Sequence, residues 1–260
     1  RDRPVLVTIH SKDWTGKKWG PLATRAMKWA AGVSVRFAHR LTVVSRKLQE
    51  YYRDTFDVET TYIPTGVEIP ELVEADEITD RWGLEANGYI LFVGRLTPEK
   101  GLEYLLPAYT HIDTDKPLVI VGDRGSDDQY VDKLESYDDD RVIFTGFQSG
   151  RALAELFSNA YLYVQPSTLE RLSVAVLEAL SYGRCVLASN IEGNVEALGP
   201  CGYTFEVGSV DSLRKELTRL LDAPELTAKQ FDIARDHVRD NHSWDRSTDA
   251  FEGQYRQLLG

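Results

Sequence analysis

Residues 161–183, "YLYVQPSTLERLSVAVLEALSYG", hold in one short segment the alternation that decides the fold. The first residues are mostly apolar, as is typical of a parallel strand that is covered on both faces. The last residues follow a helical pattern, and a short polar loop separates the two. Similar pairs of strand and helix patterns follow one another along most of the chain. This alternation predicts an α/β protein with a doubly wound parallel sheet.

The predicted strands are short and rich in valine, isoleucine, leucine and tyrosine. They are residues 5–9, 41–45, 60–64, 89–94, 118–123, 141–146, 161–166 and 185–189. The predicted helices are residues 21–38, 45–54, 101–111, 127–137, 150–159, 173–183, 210–222 and 225–240. The C-terminal segment predicts one more amphipathic helix. Its apolar stripe would consist of Trp244, Phe251, Tyr255, Leu258 and Leu259.

Residues 64–88 interrupt the alternation, because they combine prolines, glycines and acidic residues without a strand pattern. We therefore predict part of a first Rossmann-like domain in residues 1–70, a linker in residues 71–88 and a complete second domain in residues 89–240. Residues 241–260 are expected to form a helix that packs back toward the first part. The first part holds too few strands for an independent doubly wound domain. The chain is therefore expected to begin within a domain.

The composition excludes several classes of protein. No run of about 18 apolar residues occurs, so no membrane-spanning helix is predicted. Residues 1–10 lack the apolar centre and the cleavage site of a secretory signal peptide. Cys185 and Cys201 lack the spacing of a zinc site or a disulfide framework. We expect a cytoplasmic protein with no bound metal and no nucleic-acid partner.

The charge is unevenly distributed along the chain. The formal net charge is −11, yet residues 1–53 contain 12 Lys and Arg and only three acidic residues. A positive block within an acidic protein favours an anionic surface or ligand as its partner. A solvated helix face that mainly meets the acidic part of the same chain explains the block equally well.

The loop "GRLTPEKG", residues 94–101, carries two cations at the carboxyl end of a predicted strand. Ligands of open α/β sheets bind beyond this end of the strands. Arg95 could bind a diphosphate with its planar fork and Lys100 could bind it as a point charge. The alternative is a surface turn with solvated charges, and on this loop alone the alternative is favoured.

Two further loops follow predicted strands. Gly122 and Gly125 in "VGDRGSDD" would let the backbone approach a ligand, but the glycine spacing is not that of a dinucleotide-binding loop. Phe147 and Gln148 in "TGFQSG" lie where an aromatic face and backbone amides could meet a nucleobase. A buried phenylalanine at a strand end is the more common explanation for Phe147.

A helix start in "LERLSVAVLEA" predicts an anion site. Ser173 is a plausible N-cap, so the helix would begin close to Leu172 and Val174. The free backbone amides of a first helical turn and the helix dipole together suit a phosphate.

Two acidic residues flank this helix start. Glu170 lies just outside the helix and could accept hydrogen bonds from sugar hydroxyls. Glu178 lies about five residues beyond Ser173, or roughly 7.5 Å along the helix axis, within an apolar pattern where an unpaired carboxylate is costly. A ribose diol would be a suitable partner for Glu178. Groups that could bind a sugar, a phosphate and a ribose would thus follow one another along the chain. This is the order of the parts of a nucleotide sugar. The alternative is that Glu178 pairs with a nearby arginine, such as Arg184.

Five segments in the same order resemble the family 4 retaining glycosyltransferases, which have the GT-B fold. These segments are "YIPTGVE", "GRLTPEKG", "FSNAYLYVQPS", "PSTLERLSVAVLEALSYG" and "HSWDRSTDAFEGQYRQLL". Each segment alone is unspecific, but the likeness extends over nearly the whole chain. The resemblance implies a GT-B-like chain whose second domain binds a nucleotide sugar and whose first domain lies on the acceptor side.

The resemblance also implies roles for individual residues. Arg95 and Lys100 would bind the donor diphosphate, as would the backbone amides of residues 172–174. Glu170 would hold hydroxyls of the transferred sugar, and Glu178 would hold the ribose. Family members usually need no metal or other cofactor in the site. Cations and a helix dipole would stabilise the leaving diphosphate instead.

Two departures from the family pattern affect this interpretation. Arg171 follows Glu170 at a position where the family usually has glycine. The glycine-rich loop with which the family's first domain normally begins is not found. A chain shortened in this way could be a module that binds the donor without turnover. A nucleotide-sugar epimerase of similar architecture is the other alternative.

The segment "TIHSKDWTGKKWG", residues 8–20, contributes the remaining candidate catalytic residue. His10 ends a predicted strand, where the family often has a histidine near the transferred sugar, and it could donate a hydrogen bond in the transition state. The alternative is a histidine that caps backbone groups. The pattern of Asp13, Trp14, Lys18 and Trp19 resembles members that build surface polysaccharides and glycolipids.

The predicted helix after this segment is basic and amphipathic. Its apolar stripe is Leu22, Ala26, Trp29, Val33 and Phe37, and Arg25, Lys28 and Arg36 lie beside it. Such a helix can lie on an anionic membrane. Residues 12–40 could therefore contact the inner face of the plasma membrane. Burial of the stripe within the protein is an equal alternative.

The sequence thus predicts a glycosyltransferase that uses a UDP- or GDP-linked sugar. The expected reaction transfers a hexose-type sugar with retention to a glycan or a lipid-linked acceptor. The predicted site contains His10, Arg95, Lys100, Gly122, Phe147, Glu170, Leu172, Ser173, Val174 and Glu178.

Overall fold

The computed structural model describes residues 3–11, 20–125 and 128–259, in two compact units. One unit combines residues 1–66 with residues 241–260, and the other consists of residues 67–240. Asp13, Trp14, Lys18 and Trp19, on which part of the sequence interpretation rests, lie outside the described residues.

Strands and helices alternate along the described residues. The strands are β1 (Leu6–Ile9), β2 (Arg40–Val43), β3 (Thr61–Tyr62), β4 (Ile90–Val93), β5 (Leu118–Val121), β6 (Val142–Gly146), β7 (Leu162–Gln165), β8 (Val186–Ser189) and β9 (Tyr203–Phe205). The helices are α1 (Pro21–Phe37), α2 (Arg46–Phe56), α3 (Glu77–Trp82), α4 (Leu102–Thr110), α5 (Asp128–Glu135), α6 (Gly150–Asn159), α7 (Val174–Ser181), α8 (Glu192–Leu198), α9 (Val210–Asp222), α10 (Pro224–Ala228), α11 (Gln230–His242) and α12 (Trp244–Leu259).

The smaller unit is built on a parallel sheet in the order β1-β2-β3. Helix α2 begins where the Ser45 hydroxyl accepts a hydrogen bond from the Leu48 amide, which is the expected chemistry of a serine N-cap. Helix α12 lies against the end of β3, where the Ser247 hydroxyl donates to the Pro64 carbonyl at 2.8 Å. Gly66 lies so close to Trp244 that a side chain there would overlap it.

The predicted apolar stripe of α12 does not describe the buried face of this helix. The buried residues are Ser247 and Gln254, whereas Trp244 and Tyr255 are half-exposed and Leu259 is 77% exposed.

The larger unit contains a six-stranded sheet in the order β6-β5-β4-β7-β8-β9, with every neighbouring pair parallel. Successive residues of a strand point to opposite faces. Leu91 contributes to the core on one face, with helices α6, α7, α8 and α11. Ile90 and Phe92 contribute to the core on the other face, with α4, α5 and α9. Helices therefore cover both faces, and the predicted doubly wound α/β architecture is confirmed.

The order of the strands locates a ligand-binding crevice. The chain runs outward from β4 in one direction and from β7 in the other, so the order reverses between these two neighbouring strands. In open parallel sheets this reversal opens a crevice at the carboxyl ends of the strands. The loops after β4 and β7, residues 94–101 and 166–173, are therefore placed at the crevice.

Some elements were not predicted from the sequence. They are β9, α3 and α8, and the predicted helix at residues 225–240 consists of α10 and α11. Helix α3 falls within the predicted linker. Its first turn is held by the Glu155 carboxylate, which accepts hydrogen bonds from the amides of Asp76 and Ile78. This partner lies about eighty residues away along the chain, so the local sequence does not show it.

Candidate functional site

The loops after β4 and β7 are joined at the crevice. The Thr168 amide donates to the Glu99 carbonyl at 2.9 Å. Gly101 has a φ of 74°, and a Cβ at this position would overlap the carbonyl oxygen of Pro166. A glycine is required here both for the left-handed backbone and for the close approach of the second loop.

The contact between the loops brings together two of the predicted site residues. The Lys100 ammonium lies 2.6 Å from Oε1 of Glu170, and their side chains are 17% and 13% exposed. The same oxygen accepts hydrogen bonds from Gln165 Nε2 at 3.1 Å and from Ser167 Oγ at 2.8 Å. Within the described residues, Oε2 of Glu170 accepts none. One carboxylate oxygen is therefore occupied, and the other can accept a ligand.

Arg95 stands apart from this ion pair. Its side chain is exposed, and it makes no ion pair or hydrogen bond with any residue that the structure describes. The loop thus offers one unpaired cation and one cation that is shared with an acidic residue. The alternative of a turn with solvated charges fits Arg95 alone and does not fit Lys100.

The glycines of the next loop are explained by packing between loops. A Cβ at Gly122 would overlap the carbonyl oxygen of Gly94, and one at Gly125 would lie 2.9 Å from the carbonyl oxygen of Leu96. The Gly122 amide also donates to the Gly146 carbonyl at 3.0 Å. The contact of Gly122 with a ligand stays a prediction, because packing alone accounts for the glycine.

Phe147 is 70% exposed at the end of β6. The alternative of a buried phenylalanine is therefore wrong. The neighbouring Gln148 is held in place, since its side-chain amide donates to the Thr145 carbonyl at 2.7 Å and accepts from Arg81 at 3.1 Å. An aromatic ring that is open to solvent at this edge can stack on a planar ligand group.

The start of α7 differs from the predicted anion site in one respect. Ser173 lies at the N-cap position, but its side chain makes no capping hydrogen bond. Its backbone amide donates to the Gly193 carbonyl at 3.2 Å. This amide, predicted to bind phosphate, is therefore used within the protein. The amides of Leu172 and Val174 have no acceptor among the described residues.

Glu178 lies half-buried on α7 without an ion pair or hydrogen bond to any described side chain. The alternative of a pair with Arg184 is wrong, because Arg184 donates to the carbonyls of Tyr182 and Ala160 at 3.1 Å each. Burial raises the pKa of Glu178. The carboxylate is thus desolvated without compensation from the described residues, as expected of a group that awaits a ligand.

Both acidic residues act on the same buried hydroxyl. Burial raises the pKa of Tyr163 well above its usual value, and the negative charges of Glu170 and Glu178 raise it further. The Tyr163 hydroxyl, which also donates to the Val93 carbonyl at the end of β4, therefore lies within electrostatic range of both carboxylates.

Gln165 and Ser167 are site residues that were not predicted from the sequence. Both are fully buried, and both hold Glu170. A polar glutamine within the apolar run "YLYVQP" was the available signal, because a buried polar side chain needs a partner.

His10 belongs to the smaller unit, where it is exposed directly after β1. It makes no hydrogen bond with a described residue, so the structure gives no support to a backbone-capping role. Its catalytic role stays a prediction.

The described residues contain neither a cluster that could hold a metal ion nor a helix that could cross a membrane. No group of three or more His, Cys, Asp or Glu side chains is arranged to hold a metal ion. None of the helices there has the length and apolar character to cross a membrane.

Comparison with known proteins identifies the family. A sequence model of the family described as glycosyl transferases group 1 matches residues 75–237. The chain is 27% identical to alpha-D-kanosaminyltransferase of Streptomyces kanamyceticus, over 98% of its own length and 71% of that protein. It is 24% identical to N,N'-diacetylbacillosaminyl-diphospho-undecaprenol alpha-1,3-N-acetylgalactosaminyltransferase of Campylobacter jejuni, over 83% of its own length and 59% of that protein.

Solved structures show the same architecture. The crystal structure of HepE from Anabaena, in complex with UDP and glucose, matches with a TM-score of 0.83 and 20% identity, over 98% of this chain and 72% of that one. This likeness confirms the GT-B-like fold class. Because the family model matches more than half of the chain, the chain belongs to the glycosyl transferases group 1 family.

Proposed function

We propose that the unit of residues 67–240 binds a nucleotide-diphosphate sugar, and that the protein transfers this sugar with retention to a glycan or a lipid-linked acceptor. The observation that carries the proposal is the contact of Lys100 with Glu170 at the crevice, on a loop that also carries Arg95, whose side chain has no partner among the described residues. A nucleotide-diphosphate sugar needs a cation for its diphosphate and, close by, a carboxylate that accepts from a sugar hydroxyl.

The diphosphate would be bound by electrostatics without a metal ion. The Arg95 side chain has no partner among the residues that the structure describes, so its planar guanidinium can bind a phosphate with two hydrogen bonds. Lys100 can exchange the Glu170 carboxylate for a phosphate oxygen. The free amides of Leu172 and Val174 at the positive end of α7 complete the set. As the sugar leaves, negative charge grows on the diphosphate, and these preorganised groups stabilise it.

The ribose would be bound by Glu178. Its carboxylate is partly desolvated and has no partner within the described part of the chain, so two ribose hydroxyls would supply the missing hydrogen bonds. Glu170 would accept from hydroxyls of the transferred sugar through its free Oε2. Phe147 would present its exposed ring to the base. His10 would donate a hydrogen bond to the reacting sugar from the acceptor side.

The relatives agree with this chemistry. Alpha-D-kanosaminyltransferase is named for the transfer of a kanosaminyl group, and the name of the Campylobacter jejuni relative includes a diphospho-undecaprenol acceptor. HepE has been solved with UDP-glucose. We propose a UDP- or GDP-linked hexose as donor, and the HepE complex supports the UDP form. The match to the group 1 family gives no support to the epimerase alternative.

The proposal is tested by calorimetry with UDP and GDP, followed by assays of donor hydrolysis and of transfer. Binding together with turnover would support the transferase. Binding without turnover would favour the alternative of a donor-binding module. If neither nucleotide binds, both functions are contradicted.

We also propose that α1 contacts an anionic membrane surface. Three residues of the apolar stripe predicted for this helix, Leu22, Trp29 and Phe37, are 85%, 74% and 69% exposed, so the described residues do not bury them. The cations beside the stripe, Arg25, Lys28 and Arg36, are exposed and have no acidic partner among the described residues. An apolar stripe with unpaired cations is complementary to anionic headgroups over acyl chains.

Flotation with vesicles tests this contact. The chain should float with phosphatidylglycerol vesicles at low salt, and binding should weaken as salt rises. Trp29→Glu should abolish flotation. Tyr255→Glu is the matched control, because it places the same charge at a half-exposed aromatic of α12 in the same unit. No flotation of the unchanged chain, or equal loss in both variants, would contradict the proposal.

A further inference from the structure

A chain of buried polar side chains extends from the middle of β7 to the carboxylate of Glu170. The Tyr163 hydroxyl lies 2.5 Å from Oε1 of Gln165. Nε2 of Gln165 in turn donates to Ser167 Oγ at 2.6 Å and to Oε1 of Glu170 at 3.1 Å. Tyr163, Gln165 and Ser167 are fully buried.

This arrangement fixes the side-chain amide of Gln165 in one orientation. The carboxylate of Glu170 needs donors, so the NH₂ group must face it. The carbonyl end of Gln165 then meets the hydroxyl of Tyr163, which can donate to it. Every polar atom of the Gln165 side chain therefore has a partner.

Stability alone does not explain these polar groups. Apolar side chains of the same shape would stabilise a buried strand about as well, because hydrogen bonds inside a protein replace hydrogen bonds to water. Gln165 does one thing that an apolar residue cannot do. It holds a single oxygen of Glu170, and the other oxygen keeps no donor among the described residues.

The need for a neutral donor follows from the role of Lys100. If Lys100 turns to the diphosphate when the donor binds, Glu170 loses its charged partner. Gln165 and Ser167 then remain as the hydrogen-bond donors to its Oε1. Neither is charged, so neither is drawn to the phosphate.

We propose that Gln165 is a positioning residue for the donor sugar. It fixes the carboxylate of Glu170 so that Oε2 accepts from a sugar hydroxyl after Lys100 has moved to the diphosphate. This inference rests on the proposed function, because it takes Glu170 to contact the transferred sugar.

The test separates recognition of the sugar from recognition of the diphosphate. Gln165→Met keeps the length of the side chain and removes its donor and acceptor. Gln230→Met is the matched control, because Gln230 is also a buried glutamine of this unit and accepts from the Gly202 amide at 3.0 Å. Calorimetry on the full chain would measure the dissociation constants of UDP, UDP-glucose, GDP and GDP-mannose.

In Gln165→Met, the affinity for UDP or GDP should stay within about twofold. The affinity for the matching sugar nucleotide, relative to the free diphosphate, should fall roughly tenfold, which is the usual effect of misplacing one hydrogen bond to a charged group. Gln230→Met should leave this ratio unchanged. Tyr163→Phe removes only a hydroxyl and should lower the ratio by a smaller factor. It replaces Gln165→Met as the test variant if Gln165→Met does not fold.

The outcomes distinguish this inference from the function on which it rests. An unchanged ratio in folded Gln165→Met, or in Tyr163→Phe where it is the variant that folds, overturns the positioning role. An unchanged ratio in Glu170→Gln overturns the positioning role as well. If Glu170→Gln still binds UDP or GDP, the proposed donor site is not contradicted. If the unchanged chain binds none of the four ligands, the proposed function and this inference are both overturned.

Discussion

Glu178 has a carboxylate that folding removes from much of its water without giving it a partner among the described residues. Replacement by glutamine removes the charge and keeps the shape. We expect Glu178→Gln to lower the affinity for UDP or GDP roughly tenfold, because hydrogen bonds of a ribose diol to a charged acceptor are replaced by weaker ones. Calorimetry checks this. Glu216→Gln, which changes an acid paired with Arg219 on α9, is the control. If the two variants bind UDP or GDP with equal affinity, Glu178 has a structural role and does not bind the ribose.

The raised pKa of Glu178 also predicts how stability depends on pH. The unfolded chain titrates this group near its ordinary value of about 4.3, and the folded chain titrates it at a higher pH. The folded chain therefore binds more protons between the two values, so stability falls as pH rises through that window. Glu178→Gln lacks this effect. Its free energy of unfolding in urea, relative to that of the unchanged chain, should rise from about pH 4 to neutral pH, and a constant difference would contradict the assignment.

The candidate site could be predicted in part from single residues. Arg95, Lys100 and Glu170 belong to loops whose cations and acids follow strand patterns, and general rules place such loops at one edge of the sheet. The sequence could not show that Lys100 and Glu170 share a contact, because they are 70 residues apart. It also could not show that the Ser173 amide is already hydrogen-bonded within the protein, since the acceptor is a backbone carbonyl of α8.

The two crevice loops depend on a glycine at their contact. Gly101→Ala would combine left-handed backbone strain with an overlap at Pro166, whereas Gly83 has a similar φ of 66° and open space around it. Gly83→Ala should therefore cost only the strain, about 1 kcal/mol. Gly101→Ala should cost more and should also weaken UDP or GDP binding, because the Lys100 and Glu170 contact is displaced. Urea unfolding and calorimetry measure both quantities. Similar results for the two variants would show that the loops do not need this close approach.

Helix α3 depends on a distant carboxylate. Glu155 is fully buried on α6, and although burial opposes its ionisation, hydrogen bonds from Arg151 and from the amides of Asp76 and Ile78 lower its pKa overall. Glu155→Ala should lower the free energy of unfolding by about 3 kcal/mol, because buried amides lose a charged acceptor. Asp236→Ala, which removes an exposed ion pair with Arg239, should change it by less than about 1 kcal/mol. Urea unfolding at neutral pH decides whether the two differ.

Secondary structure was predictable where the local pattern determines it. Strands such as β4 and β5 are continuous apolar runs, and helices such as α9 combine a serine cap with an apolar stripe. Helix α3 was missed because its first turn is satisfied by Glu155. Strand β9 has three residues and pairs with β8 alone, so its pattern was too short to distinguish it from a loop.

The division into two compact units predicts how the protein responds to its donor. A ligand that binds one unit stabilises that unit by mass action, by about 2.7 kcal/mol at a hundredfold excess over its dissociation constant. For a unit of this size the melting temperature should rise by roughly 5–11 °C. The increase should appear in the transition of residues 67–240, which carry the crevice.

Tryptophan fluorescence can separate the two transitions. Trp82 is the one tryptophan of the sequence between residues 67 and 240, and the other four lie in residues 1–66 and 241–260. In Trp82→Phe, fluorescence therefore reports the smaller unit, while circular dichroism follows both. We expect saturating UDP or GDP to raise the melting temperature of the larger unit and to leave the melting temperature measured by fluorescence unchanged. An equal shift in both signals would show that the two units unfold together, and no shift in either would argue against a donor site in the larger unit.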